Sequence, residues 1–141
     1  NKETTKALYE KLFGFASSIL LTVEELEVVG TDMAHAADYF KRFPQAEVVV
    51  KDGAKPCTLI VGDKISTVPA ETVAQVIDTT AAGDSFSAAY ILGRTLGLAP
   101  EEAAKRAHTT AAAVVRHRGA IIPKDATPKV FSATEALCAK A

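Results

Sequence analysis

The sequence contains few of the residues that serve nucleic-acid or membrane binding. It has no tryptophan, six phenylalanines and three tyrosines among 141 residues, so few aromatic rings are available to stack on nucleobases. Sixteen lysines and arginines are balanced by 17 acidic residues, which leaves no excess positive charge for nucleic acid or an anionic membrane. We therefore expect neither nucleic acid nor a membrane among the partners.

Cysteines and long apolar runs are also scarce. Cys57 and Cys138 are far apart and outside any C-x-x-C spacing, which is typical of reduced thiols in an intracellular protein. No apolar run approaches the ~18 residues of a membrane-spanning helix, and no signal peptide is recognisable. These features predict a cytoplasmic protein.

The apolar residues that are present predict one α/β domain. They make up 48% of the sequence, enough for a chain of this length to bury a core. Helical spacing predicts a helix over 2–13, and apolar or β-branched runs predict strands at 17–21 and 47–52. Residues 57–69 predict a β-hairpin that turns at Gly62-Asp63. The order of elements favours a layered domain, with helices packed on a mostly parallel sheet plus the β-hairpin.

Local signals mark where the helices begin and end. Thr22, with Glu25 three residues later, predicts a capping box. Thr31 or Asp32 predicts the N-cap of a further helix that ends near Phe43. The helix that follows residue 80 is predicted to have one apolar face, formed by Phe86, Ala89, Tyr90, Gly93 and Leu96.

The stretch DTTAAGDSF, residues 78–86, places an acid between small residues and a helical pattern. The amides and the positive end of a helix N-terminus attract anions, and small residues at 81–83 leave these amides accessible. Such a cradle would stabilise a phosphoryl group during transfer, and Asp84 would accept a proton from the attacking hydroxyl. The structural alternative is that Asp84 is only an N-cap and that Gly83 only permits the turn.

The residues around this stretch resemble a known family. DTTAAGDSF is similar to D-T-x-G-A-G-D-x-F, the signature of the ribokinase-like (PfkB) carbohydrate kinases. Three further segments resemble the family in the right order. ILLTVEEL resembles its N-x-x-E after a strand, VVVKDGAKP its K-x-G-x-x-G nucleotide turn, and AAKRAHTTAAAVVRHRGAIIP its late helix. Within the family, these segments are most similar to those of 2-keto-3-deoxygluconate kinases.

The resemblance implies a ribokinase-like fold and a kinase activity. The reaction would be ATP-dependent phosphorylation of 2-keto-3-deoxy-D-gluconate to 2-keto-3-deoxy-6-phosphogluconate, with Mg²⁺ and, as in several members, a monovalent cation such as K⁺. The partners would be the sugar acid, ATP and further copies of the chain in a homo-oligomer. Two alternatives remain open: another sugar or nucleoside as the substrate, or a nucleotide-binding module without catalysis.

Complete members of the family are roughly twice as long as this chain, and their N-terminal part supplies most contacts to the sugar. The chain begins with Asn1 and runs almost at once into a helical pattern. We therefore expect residues 1–141 to be the C-terminal, nucleotide-side portion of the kinase domain, inactive by itself.

Site residues carry over from the family by position. Asp84 matches the catalytic base, which contacts the substrate hydroxyl, and Asp78 and the Thr80 carbonyl match positions that hold a monovalent cation. Glu25 matches a glutamate that orders magnesium-bound water. The anion hole corresponds to Ala81, Ala82 and Gly83. The ATP-binding positions are Lys51, Gly53, Ala54 and Lys55 in the turn that wraps the nucleotide, Gly83, and His108 against the adenine.

Several positions depart from the family pattern or have a structural alternative. Ala81 replaces a glycine, and because its Cβ makes positive φ costly, we predict ordinary backbone angles there. Thr22 replaces the asparagine of N-x-x-E, so that Glu25 is explained equally well by the capping box. Pro56 replaces a glycine and stiffens the nucleotide turn. His108 shares an apolar stripe with its helix and is alternatively a core histidine.

Overall fold

The computed structural model describes residues 2–131. Contacts divide the chain into a first unit that ends at Thr67 and a second that begins at Val68. The first unit contains α1 (Lys2–Phe13), β1 (Ser18–Thr22), α2 (Val23–Val29), α3 (Ala36–Phe40), β2 (Glu47–Lys51), β3 (Cys57–Val61) and nearly all of β4 (Lys64–Val68). The second contains α4 (Ala82–Thr95), α5 (Pro100–Val114) and a 3₁₀ turn, Lys124–Ala126.

The four strands form one mixed sheet in the order β1-β2-β3-β4. β1 and β2 are parallel, with Ile19 opposite Val48, whereas β2 and β3 are antiparallel. β3 and β4 are joined by Gly62 and Asp63, and the positive φ of 59° at Gly62 suits a tight hairpin turn. The predicted α/β class and the hairpin are therefore confirmed.

The helices of the first unit pack on the sheet through apolar side chains. Successive strand residues point to opposite faces, so that Ile19 and Leu21 of β1 share a face with alternate residues of β2. Phe13 at the end of α1 lies at the centre of an aromatic group, with its ring centroid 5.8 Å from Phe40 and 5.5 Å from Phe43. The buried cluster comprises Phe13, Ile19, Leu21, Leu26, Val29, Ala36, Phe40, Phe43, Ala46, Val48, Val50 and Ile60.

The predicted capping box is present, but the predicted start of α3 is wrong. The Thr22 amide donates to Glu25 Oε2 at 2.7 Å, and the Glu25 amide donates to Thr22 Oγ1 at 3.3 Å. Asp32, by contrast, bonds both the amide and the ring of His35, at 3.0 and 2.7 Å. This local side-chain turn competes with helix, and α3 begins only at Ala36.

The second unit is built on the pair α4 and α5. The predicted face of α4 is buried at Phe86, Ala89, Tyr90 and Gly93. A Cβ at Gly93 would lie 3.0 Å from Ala103 Cβ, so glycine permits the close approach of the two helices.

The sequence also predicts a last helix, with Thr127 as its N-cap and Pro128 at its first position. Most of this segment lies outside the described residues, and Cys138 lies outside them as well. The chain at 128–131, where this helix was expected to start, is not helical. Among residues 2–131, no helix has both the length and the apolar character needed to cross a membrane.

Candidate functional site

The carboxyl ends of β1 and β2 bring together the predicted site residues of the first unit. Because the two strands are parallel, Thr22 lies opposite Lys51 at one edge of the sheet. The pKa of Glu24 is lowered, chiefly by hydrogen bonds from its own backbone and from Thr22, and its carboxylate also senses the charges of Asp52 and Lys55. The start of α2 is therefore next to the turn after β2, at the end of parallel strands where α/β proteins bind ligands.

The turn after β2 holds the predicted nucleotide-wrapping residues in an exposed position. Gly53 has a φ of 54°, and no atom lies within 4 Å of a Cβ built there, so glycine meets a backbone requirement rather than a lack of space. Lys55 pairs with Asp52 at 3.0 Å across the turn, and Ala54 is exposed. The turn thus presents backbone and cationic groups to solvent.

Glu25 is exposed at the start of α2, where it closes the capping box through Oε2. Its other carboxylate oxygen is not part of the box, and the contact to magnesium-bound water stays a prediction. Within the described range 2–131, no group of three or more His, Cys, Asp or Glu side chains is arranged to hold a metal ion. A magnesium ion here would depend on phosphate oxygens and water for most of its ligands.

The predicted anion hole lies at the start of α4, and its backbone is strained. Ala81 is the N-cap, with φ 59° and ψ 12°, and it is the one non-glycine residue of the described range with positive φ. The prediction of ordinary angles at Ala81 is therefore wrong. A left-handed conformation costs an L-residue about 1–2 kcal/mol, and the surrounding hydrogen bonds must offset this cost.

Asp84 is not the N-cap of α4. The helix begins at Ala82, which makes Asp84 its third residue, and the N-cap Ala81 has no side-chain cap. The prediction that Asp84 is alternatively the N-cap is therefore wrong, and its role as the base stays a prediction. Its exposed carboxylate lies in the first turn, whose amides have no carbonyl of the same helix to bond. The Ala82 amide donates to the Thr79 carbonyl at 3.2 Å and is thus partly engaged.

Asp78 ties this turn to the segment that follows α5. Oδ1 accepts from the Thr80 amide at 2.9 Å and from the Thr80 hydroxyl at 2.7 Å, and Oδ2 accepts from the Gly119 amide at 2.8 Å. These hydrogen bonds lower the pKa of Asp78 to about 2, and the bond from the Thr80 hydroxyl has the largest effect. A carboxylate has about four acceptor sites, so one is left for the predicted cation.

His108 is buried between the two helices. It is 8% exposed, and its ring stands edge-on to Phe86 of α4, with centroids 4.9 Å apart. Burial lowers its pKa, and a hydrogen bond to the Val68 backbone opposes this shift. Nε2 has no hydrogen-bond partner among the described residues. This environment favours the core-histidine alternative, and the adenine contact stays a prediction.

The environment of His108 predicts a pH-dependent stability. The folded protein keeps this imidazole neutral below pH 6.5, where the unfolded chain binds a proton. The contribution of His108 to the free energy of unfolding is therefore fully present above pH 6.5 and is lost as the pH falls. In urea denaturation between about pH 5 and 7, His108→Gln is expected to lose less stability on acidification than wild type.

The same variant tests the adenine contact. If His108 contacts the nucleotide, His108→Gln raises the Kd for ATP in equilibrium titrations. Unchanged ATP affinity together with the altered pH dependence would make the residue a core histidine, and an unaltered pH dependence would contradict the buried, neutral ring.

The sequence assigns Gly119 only to the end of the helix that precedes it, whereas its amide also bonds Asp78, 41 positions earlier. The available signal was the glycine after α5, since its φ of 86° is a conformation that favours glycine.

Known proteins are similar to most of the chain. A model of the pfkB family of carbohydrate kinases matches residues 1–127. The 2-dehydro-3-deoxygluconokinase of Escherichia coli K12 is 41% identical over 134 residues, which are 91% of this chain and 43% of that protein. The chain thus spans less than half the length of this curated relative.

Solved structures show the same fold. Ribokinase from Thermotoga maritima matches with a TM-score of 0.71 and 27% identity, over 93% of this chain and 44% of that one. Fructokinase from Vibrio cholerae, in a form bound to fructose, ADP and calcium ion, matches with a TM-score of 0.72 and 26% identity, over 82% and 40% of the two chains.

Proposed function

The chain belongs to the pfkB family of carbohydrate kinases, and from that premise we propose that it is the nucleotide-side portion of a sugar-acid kinase. The reaction is transfer of the γ-phosphoryl group of ATP to the terminal hydroxyl of 2-keto-3-deoxy-D-gluconate, which is the same compound as 2-dehydro-3-deoxygluconate. The name and the 41% identity of the Escherichia coli relative support this substrate. Because ATP is a cytoplasmic co-substrate, we also propose a cytoplasmic location.

One observation carries the proposal of catalysis. Asp84 is exposed in the first turn of α4 and does not cap the helix. We assign it as the base: the sugar oxygen bonds the γ-phosphorus, the bond from that phosphorus to the β–γ bridging oxygen breaks, ADP leaves, and the hydroxyl proton passes to Asp84. The amides at 81–83 lie at the positive end of α4, where they would stabilise the charge on the transferring group.

The edge of the sheet in the first unit is proposed as the ATP side. Lys51 and Lys55 supply cationic groups, and the turn at Gly53 exposes backbone to the nucleotide. Glu25 is proposed to hold magnesium-bound water. Bound Mg²⁺ would neutralise phosphate charge during the transfer. Asp78 and the Thr80 carbonyl are proposed to contact a monovalent cation such as K⁺, and the enzyme is proposed to be a homo-oligomer.

A substrate panel tests the function. ADP release is measured for the protein at its full natural length with 2-keto-3-deoxygluconate, ribose, fructose and adenosine. We expect kcat/KM to favour the sugar acid by on the order of 10⁴-fold, because a site built for its carboxylate leaves polar groups unpaired when a neutral substrate binds. Preference for another compound would indicate a kinase of the same family with a different sugar or a nucleoside as its substrate. ATP binding without ADP release would indicate a nucleotide-binding module.

A further inference from the structure

We propose that Asp78 is a positioning residue that clamps the turn before α4 to the chain after α5 and so aligns the anion hole and Asp84. The proposal rests on the proposed kinase function for its effect on turnover. The clamp itself is a property of the fold and can be measured without activity.

The two carboxylate oxygens of Asp78 act on different segments. Oδ1 accepts both Thr80 hydrogen bonds and closes the turn locally. Oδ2 accepts from Gly119, whose amide is 41 positions away in sequence. Two backbone bonds run alongside, because the amides of Ile77 and Asp78 donate to the Val115 carbonyl at 2.8 and 3.3 Å. Hydrogen bonds to a charged acceptor are stronger than neutral ones, so the bond from Gly119 to the carboxylate is stronger than either backbone bond beside it.

The clamp lies directly before the strained residue. Thr80, which donates twice to Asp78, precedes Ala81 and its φ of 59°. Strained conformations persist only where the surrounding structure holds them. The orientation of the amides at 81–83 depends on this turn, and Asp84 follows within the same helical turn. Freeing Thr80 would therefore let Ala81 relax and would shift the donors that face the phosphoryl group.

The glycine at the other end suits its role as the donor. Gly119 has a φ of 86°, and a Cβ built there meets no atom within 4 Å. The position is therefore restricted by backbone conformation rather than by space. A side chain here would strain the segment that presents the amide to Oδ2.

The test combines amide hydrogen exchange with kinetics. Asp78→Asn keeps the shape of the side chain but replaces one oxygen acceptor by an NH₂ donor. Thr80→Val removes only the hydroxyl bond and serves as a milder second variant if Asp78→Asn does not fold. Asp125→Asn, at an exposed acid of the same unit, is the matched control for the lost charge. Exchange is followed by NMR at Gly119, Thr80 and Ala82, whose amides donate hydrogen bonds in this region, and kcat and KM are measured on the full natural length.

The expected result separates positioning from general stability. In Asp78→Asn, the amides of Gly119, Thr80 and Ala82 should exchange about tenfold faster or more, while the amides inside α5 keep their protection. The kcat should fall on the order of 10²-fold, as for small misplacements of catalytic groups, with KM for ATP changed only a few-fold. Thr80→Val should lie between Asp78→Asn and wild type, and Asp125→Asn should match wild type.

Other outcomes overturn the proposal or a distinct part of it. Unchanged exchange at Gly119 would show that no clamp exists. Faster exchange with unaltered kcat would show a clamp that does not position the site. If wild type turns over none of the sugars, the proposed function fails, and exchange at Thr80 and Ala82 alone then decides whether Asp78 orders this turn.

Discussion

Replacement of Asp84 by asparagine is expected to lower kcat of the proposed phosphoryl transfer by ~10²–10⁴-fold, the range of general-base assistance. The amide cannot accept the hydroxyl proton, whereas its size and shape are those of the acid. The KM for ATP is expected to stay nearly unchanged, because the assigned nucleotide contacts are elsewhere. Steady-state kinetics with 2-keto-3-deoxygluconate on the full natural length measure both parameters.

The position of Asp84 makes this test specific to chemistry. Since Ala81 rather than Asp84 is the N-cap of α4, the substitution removes no cap. What remains is the loss of a charge near the helix N-terminus, worth about 0.3–1 kcal/mol of helix stability. Asp125→Asn changes the same charge in the same unit and should leave kcat at the wild-type value. A kcat for Asp84→Asn within a few-fold of wild type would assign the residue to helix electrostatics alone.

Sequence patterns predicted the elements whose signals are local. Helix α1 spans the predicted residues, Lys2–Phe13, because the spacing of its apolar side chains is enough to define it. The capping box of Thr22 and Glu25 forms between partners within one helical turn. The hairpin at Gly62 depends only on a tight turn between two short apolar strands.

Patterns failed where a distant residue sets the conformation. Ala81 adopts left-handed angles that its own side chain disfavours. Asp78, three residues earlier, bonds the neighbouring Thr80 and also Gly119, which is 41 positions away, and the residues near Ala81 do not indicate that distant bond. The burial of His108 is similar, since the same helical spacing fits a core residue and a nucleotide contact. Packing against Phe86 favours the core residue, and this contact exists only once both helices are in place.

A polypeptide of residues 1–141 alone is expected to show no sugar-dependent ATP turnover. Positioning of the reactants contributes about 7–11 kcal/mol in well-oriented reactions, and the anion hole and Asp84 act only on a hydroxyl held in line with the γ-phosphate. The family resemblance implies that the sugar contacts come from a portion of the relatives that these residues do not match, since the match covers 43% of the Escherichia coli enzyme. The expected loss of turnover is therefore complete within detection.

The same polypeptide is expected to self-associate through its first unit. β1 is at the end of the sheet order, and no described strand pairs with its outer edge. A groove of about 310 Å³ is lined by residues of β1 and of the neighbouring α1 and α2. On α1 and just after it, Leu8, Leu12 and Phe15 are 58%, 55% and 85% exposed. An unprotected strand edge next to apolar side chains pairs readily with other chains.

A chimaera and a matched variant separate these two effects. Residues 1–141 are tested alone, and also in place of the matching segment of the Escherichia coli relative, which supplies the rest of the domain. We expect light scattering to show oligomers for the isolated polypeptide, fewer oligomers after Leu12→Lys and Phe15→Lys, and no turnover in either case. The chimaera should regain turnover of the sugar acid, because the base is again placed against a bound hydroxyl. Robust turnover by residues 1–141 alone would contradict the proposal that this nucleotide-side portion needs a further part of the domain to position its substrate. A clean monomer at high concentration would contradict the proposal that it needs that part to cover the edge of β1.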